Sequence, residues 1–336
     1  VRRNRAGLAA LSLPLSVGLL ASCSQPAEQM DEDTLDDLSI ASGTTGGVFY
    51  PVGGAMAEVI NNEVEGVSAS TEATAASAEN MRLIGGGESE VAIVQGDTAY
   101  QAVHGEGDFE GDVQEAQVLT VLYPNVYHAV SLESIHEDQG FDCMSDVEGS
   151  RFSVGAPGSG NEIATDLLFQ GLGMDFDDVD VQRYAYAETA NALREGQLDA
   201  GSWVVGEGHA SLLELEQTDP VHLIPMCEDE QSAVVDEHDF YTAHTIEGGT
   251  YETVEEDVET LALWNVVVVS PDFPEELAYD LLDALYENID DINQVYEPGT
   301  EYHVPETMAE SPVELHPAAV RYAEDNDIEI PEELTP

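Results

Sequence analysis

The sequence predicts an α/β protein of two similar lobes, with parallel-rich sheets carrying helices on both faces. Three observations predict it. Strand-like and helix-like segments alternate from Leu38 onward, the pattern of parallel strands joined by helical crossovers. The order strand, loop, helix, strand, helix, strand occurs twice. In both copies the first loop is made of glycine with serine or threonine.

The first copy opens on an alternating segment at 38–42, followed by Gly43-Thr44-Thr45-Gly46-Gly47 and a helix over 50–61. Pro51 falls near the first turn of that helix, where a missing N–H is tolerated. Residues 67–71 read as a strand, 75–84 as a helix ended by Gly85-Gly86-Gly87, and 91–94 as a strand. The second copy runs through a strand at 151–154, the loop 155–161, a helix over 162–170 and a strand at 179–184. A helix over 188–194 and a strand at 200–205 complete it.

The 336 residues hold 69 Asp and Glu against 8 basic residues, all arginine, for a net charge of -61. Such a chain does not bind nucleic acid through basic patches or dock on anionic lipid through a basic helix. Disorder is excluded by 43% hydrophobic residues spread throughout. The self-repulsion of this charge is screened in molar salt, where the Debye length is about 3 Å, so the composition suits concentrated brine.

Arg2-Arg3-Asn4-Arg5, an apolar stretch over 6–20 and Leu20-Ala21-Ser22-Cys23 have the parts of a secretory signal. The ending resembles a lipobox. We therefore expect a signal peptide over 1–22, lipid on Cys23 anchoring the chain to a membrane, and an acidic tether over 23–37. In an exported chain Cys143 and Cys227 either pair or stay as two buried thiols.

Catalytic signatures are absent. Without lysine there is no P-loop; Gly-x-Ser-x-Gly and His-Glu-x-x-His do not occur. The acidic run Asp175, Asp177, Asp178 and Asp180 lacks the glycine and terminal glutamate of a calcium loop. No catalytic residue, metal or cofactor is expected.

The two glycine loops lie at strand-to-helix junctions, where α/β proteins bind ligands. Glycine lets a ligand approach the backbone, and helix N-terminal N–H groups favour acceptor oxygens. Candidate contacts in the first copy are Gly43, Thr44, Thr45, Gly46, Gly47, Tyr50, Thr74, Ser77, Asn80, Gln95 and Asp97. In the second they are Ser159, Gly160, Asn161 and Trp203. Tyr50 and Trp203 read equally well as lobe core. Asp97 suits either an ammonium group or a helix cap.

Six segments in order resemble the TAXI family of solute-binding proteins of TRAP transporters. They are Ser42 with the first loop through Gly54, Ala73–Asn80 as 73–80, Ala92-Ile93-Val94-Gln95-Gly96-Asp97, the stretch 154–160, Ala192 through Ala200, and Leu315-His316-Pro317 through Tyr322. The resemblance implies a two-lobed periplasmic-binding-protein fold crossed by strands near 118–130 and 263–269. Lobe I would hold 38–125 and 262–336, and lobe II 126–261. It also implies a receptor that takes a small organic solute, a glutamate-like amino acid or related acid, to an ion-driven TRAP-type permease. The alternative is a ligand-sensing subunit of a signalling system. Gly206-Glu207-Gly208 departs from the family, which commonly has proline after that glycine.

Overall fold

The computed structural model describes residues 35–300 and 302–336. The expected signal peptide, Cys23 and nearly all of the tether lie outside them. Among the described residues, no helix is long and apolar enough to cross a membrane.

The first copy forms β1 (Asp37–Ala41), α1 (Phe49–Glu63), β2 (Ser68–Glu72), α2 (Ser77–Gly86), β3 (Val91–Gln95) and α3 (Gly96–His104). Next come β4 (Gln117–Leu132) and α4 (Glu133–Gln139). The second copy forms β5 (Arg151–Ser153), α5 (Gly160–Gly171), β6 (Asp180–Gln182), α6 (Tyr186–Arg194), β7 (Ala200–Val205) and α7 (Ala210–Glu216). The chain continues through β8 (Val221–Ile224), α8 (Glu228–Glu237), β9 (Thr242–Ile246) and β10 (Val258–Val269). It closes with α9 (Glu275–Glu287), α10 (Ile289–Asn293) and α11 (Pro317–Asp325).

The repeat read from sequence is a repeat in space. β1 pairs in parallel with β2 and β3, and β5 pairs in parallel with β6 and β7. One ten-stranded sheet joins the two triplets along the order β2-β1-β3-β10-β4-β7-β5-β6, with β8 paired to β4 and β9 to β10. The joint is made by the two long strands. β4 pairs with β10 from Gln117 to Val126 and with β7 from Val126 to Ser131. β10 pairs with β9 from Val258 to Ala262 and with β3 from Asn265 to Val269. Both strands thus change partners in the same neighbourhood. Pro124, which has no N–H to donate, sits at the change in β4. The two strands are almost wholly buried, which explains their near-continuous apolar sequence.

The core forms two buried clusters, the larger of which spans both triplets. A large one runs through β1, β3, α1, α9 and α11 and on to α5 and β5. A smaller one centres on Trp203, Val126, Leu193, Leu212 and Tyr251. Cys143 and Cys227 form a disulfide with Cα atoms 5.5 Å apart, within the usual range. Beside it, Glu230 accepts hydrogen bonds from Met144 N at 3.0 Å, Ser145 N at 2.9 Å and Cys227 N at 2.9 Å. The sulfurs are bonded to each other and the carboxylate is satisfied, so this cluster is a structural tie.

One predicted boundary moves for a physical reason. The helix expected from residue 75 begins at Ser77, because Ala76 adopts φ 76 and ψ -146, a conformation a helix cannot contain.

Candidate functional site

A cleft of about 500 Å³ lies between the triplets. Its wall gathers the N-terminal ends of helices from both. Gly47, Val48 and Phe49 belong to the start of α1, and Ala75, Ala76 and Ser77 to that of α2. Ser159, Gly160 and Asn161 open α5, and Ala185, Tyr186 and Ala187 open α6. His209, Ala210 and Ser211 open the short α7. Gln95 and Asn125 form the base, and Glu214 lies at an exposed edge. Orphan N–H groups concentrate there because each helix leaves its first N–H groups unpaired within the helix, and each helix N-terminus carries positive partial charge.

Local sequence explains how the polar groups are held. Gly155 has φ 101, and a Cβ there would meet Asn161 Nδ2 at 2.5 Å, so glycine makes room for Asn161. Asn161 is 2% exposed; its Nδ2 donates to Ser202 O at 3.0 Å, while its Oδ1 has no partner. Gln95 N donates to Ser77 Oγ at 3.0 Å, and Gln95 Oε1 accepts from Asn125 Nδ2 at 3.1 Å. Ala76, strained at positive φ, is a wall residue, and Thr74 Oγ1 accepts from its N–H at 3.0 Å. Such strain costs about 1–3 kcal/mol and is characteristic of functional loops.

Across the cleft, Trp203 Nε1 donates to Ser211 Oγ at 3.0 Å. Ser211 Oγ lies 2.9 Å from His209 Nδ1, to which Ser211 N also donates at 3.3 Å. With Nδ1 as acceptor, the proton of the neutral ring sits on Nε2. Burial lowers His209 to a pKa of about 4, so the ring is neutral near pH 7.

The structure brings nine of the sequence candidates to this wall: Gly43, Thr44, Gly46, Gly47, Ser77, Gln95, Ser159, Gly160 and Asn161. Six lie off it. Thr45 is at the exposed tip of its loop, and Tyr50 lies one residue beyond Phe49. Thr74 and Asn80 tie loops together. Thr74 Oγ1 donates to Asn80 Oδ1 at 2.6 Å, and Asn80 Nδ2 donates to Ser42 O at 2.6 Å and Ile93 O at 2.8 Å. Trp203 is fully buried behind Tyr186, their rings stacked at 6.3 Å.

Asp97 is also fully buried. It accepts from Thr98 N at 2.5 Å and from Tyr241 Oη at 3.0 Å. Burial raises its pKa to about 6, against the opposing pull of those hydrogen bonds. An ammonium in the cleft therefore does not meet Asp97.

The wall residues not expected from sequence are chiefly Phe49, Asn125, Tyr186, His209, Ser211 and Glu214. The signal that could have found three of them is topological: α6 and α7 occupy the places of α2 and α3 in the repeat. No arginine of the described residues lines the cleft. Arg82, Arg151, Arg183, Arg194 and Arg321 are each paired with acids; Arg151 Nη2, for example, lies 2.6 Å from Asp199 Oδ1.

The structure is similar to that of a protein from Bordetella bronchiseptica RB50, with TM-score 0.54 and 15% identity over 87% of this chain and 98% of that one. It is also similar to PhnD1 from Prochlorococcus marinus (MIT 9301) in complex with methylphosphonate, with TM-score 0.51 and 9% identity over 79% and 90%. The periplasmic aliphatic sulphonate binding protein SsuA from Escherichia coli aligns with TM-score 0.49 and 11% identity over 87% and 84%. The first two likenesses are of fold alone: a two-lobed periplasmic-binding-protein architecture with two crossover strands. Residues 40–325 match the NMT1-like family, and by that match across most of its length the chain belongs to the NMT1-like family.

Proposed function

We propose that the chain is an extracytoplasmic solute receptor, without catalytic activity, that captures a small organic solute between its lobes and delivers it to a membrane transporter. The observation that carries this reading is the cleft of about 500 Å³ lined by helix N-termini from both halves of the repeat. Its volume falls in the range of small-molecule sites. We take residues 38–125 with 262–336 as lobe I and 126–261 as lobe II, because β4 and β10 change partners near those limits.

Within that reading we infer a small acid with an apolar body, of which a glutamate-like amino acid is the instance the TAXI resemblance implies. Helix N-termini favour a carboxylate. The unpartnered Asn161 Oδ1 suits an N–H donor such as an ammonium. Val48, Phe49, Val204, Val205 and Tyr186 supply apolar wall. The transporter implied by the same resemblance is an ion-driven TRAP-type permease, and the lobes are tethered to the membrane by lipid on Cys23.

Thermal unfolding of the mature protein in multi-molar salt, against amino acids, dicarboxylates and keto acids, tests the solute. A ligand at 100 times its dissociation constant adds about 2.7 kcal/mol. The reading expects an amino acid to stabilise more than its keto analogue, with Asn161→Ala narrowing that gap. No shift from any solute overturns the receptor reading. Uptake into vesicles carrying a TRAP-type permease, driven by an ion gradient without ATP, tests the partner. Intact mass of the mature N-terminus tests the lipid.

A further inference from the structure

Among the described residues, His209 is the one imidazole in the cleft wall, and its hydrogen bonds decide where its proton lies. A backbone N–H can only donate, so the 3.3 Å contact from Ser211 N makes Nδ1 an acceptor. Ser211 Oγ agrees. It accepts from Trp203 Nε1 at 3.0 Å, which leaves its own hydrogen for Nδ1 at 2.9 Å. Two donors thus meet Nδ1, and the ring proton is confined to Nε2. Protonating Nδ1 would set two N–H groups against each other, so the ring stays neutral for a reason beyond its burial.

The loop that carries the ring is pinned. Gly208 N donates to Tyr251 Oη at 3.2 Å, and Tyr251 Oη lies 2.9 Å from His128 Nε2. His128 Nδ1 lies 2.9 Å from Val126 O, a carbonyl that can only accept. The proton of this buried, neutral ring is therefore on Nδ1, and Nε2 accepts from the Tyr251 hydroxyl. Glu207 is tied to His244 at 2.6 Å. The His209 ring itself stands edge-on to Tyr186, with centroids 5.3 Å apart. The imidazole is thus held in one orientation before a solute arrives, the condition under which a polar contact costs least on binding.

One donor is left over. His209 Nε2 has no hydrogen-bond partner among the described residues, and it is not sealed from solvent. Its open side is the cleft that the residue lines. This donor belongs to the ring and not to the seven-residue α7, whose Ser211 N–H is already engaged by Nδ1. We propose that His209 orients the bound solute, its Nε2–H donating to an oxygen of the solute's carboxylate. The inference rests on the solute reading above and adds which end of the molecule faces lobe II. An ammonium group cannot face an N–H donor, so the amine of an amino acid turns away from His209.

Calorimetric titration of the full chain in multi-molar KCl with L-glutamate, succinate and 2-oxoglutarate tests the contact. At least one should bind. His209→Phe should weaken it by about tenfold or more, with the fold intact by circular dichroism. His209→Gln returns an N–H donor and should recover part of the loss. Nitrogen NMR of histidine-labelled protein gives a readout that packing alone does not move. Nδ1 of His209 should be unprotonated from pH 5 to 8, and the Nε2–H resonance should shift with the bound acid. Affinity unchanged in His209→Phe, no recovery in His209→Gln, or a proton on Nδ1 overturns the role of His209 while the receptor reading stands. Binding of none of the three acids to the wild type overturns the acid reading itself, and this inference falls with it.

Discussion

Gly160, the first residue of α5, stands directly against the side chain of Gln95, the last residue of β3: a Cβ on Gly160 would fall 2.5 Å from Gln95 Cδ. The two residues belong to opposite halves of the repeat, so this contact is where the lobes meet at the base of the cleft. Gln95 is not loose there. Asn125 holds its Oε1 at 3.1 Å, and its Nε2 donates to Asp97 Oδ1 at 3.4 Å.

Gly160→Ala should therefore weaken solute binding by about tenfold, because the methyl group must displace a tethered amide before the lobes can meet. The unfolding midpoint should fall by only a few degrees. Once Gln95 is replaced by alanine, adding Gly160→Ala should cost little more, since the clash partner is gone. Titration of the two single variants and the double variant reads this directly. Equal affinity of Gly160→Ala and wild type would remove the contact from the capture mechanism.

The repeat and most strand limits were legible because alternation and glycine punctuation mark them. Ser159, Gly160 and Asn161 were legible for the same reason: a glycine loop that precedes a helix advertises its N-terminus. Ser77 follows no glycine, and its segment, 73–80, stood out only by the family resemblance. Tyr186 and His209 were not, because Ala185 and Gly206-Glu207-Gly208 carry no loop motif that the earlier junctions share. Asn80, Asp97 and Trp203 show the opposite failure. They lie within the right segments but face inward, and at a strand end or first helical turn one residue decides which side a group faces. Asn125 needed the register of a crossover strand, which only pairing with β10 and β7 defines.

The buried Asp97 gives a pH dependence of definite sign. Its pKa is raised from 3.8 to about 6 by burial, with the hydrogen bonds from Tyr241, Thr98 and Gln95 opposing. The folded state thus holds this proton more tightly than the unfolded chain. Its contribution to stability is full below pH 3.8 and is lost as pH rises through about 6. Denaturant unfolding of wild type and Asp97→Asn across pH 4 to 8 isolates it from the other acids. Wild-type stability relative to the variant should fall across that window by up to about 3 kcal/mol and level off above it. A difference that stays flat with pH would refute the assignment.

Asn80 should behave as a clamp. It is fully buried and joins the carbonyls of Ser42, just past β1, and Ile93, in β3, to Thr74 of the loop before α2. Asn80→Ala leaves those acceptors without a donor and should cost about 2–4 kcal/mol. Thr74→Val, which removes only the bond to Asn80 Oδ1 and that from Ala76 N, should cost about 1 kcal/mol. Urea midpoints at constant slope measure both. A loss below about 1 kcal/mol for Asn80→Ala would mean that the loops hold themselves in place.

The Cys143–Cys227 bond closes a loop of sequence separation 84, and chain-entropy reasoning gives such a closure about 4–5 kcal/mol. Replacing both cysteines by alanine should lower the unfolding midpoint by about 5–10 °C. Solute affinity should hold, because neither residue is in the cleft wall and Glu230 still gathers the N–H groups of Met144, Ser145 and residue 227. That second tie makes a further expectation. Glu230→Gln in the cysteine-free background should destabilise more than in the disulfide-bonded protein, since there it is the remaining restraint between the two segments. Scanning calorimetry of the four proteins tests both steps, and an unchanged midpoint in the cysteine-free variant would show that the disulfide adds nothing to the fold.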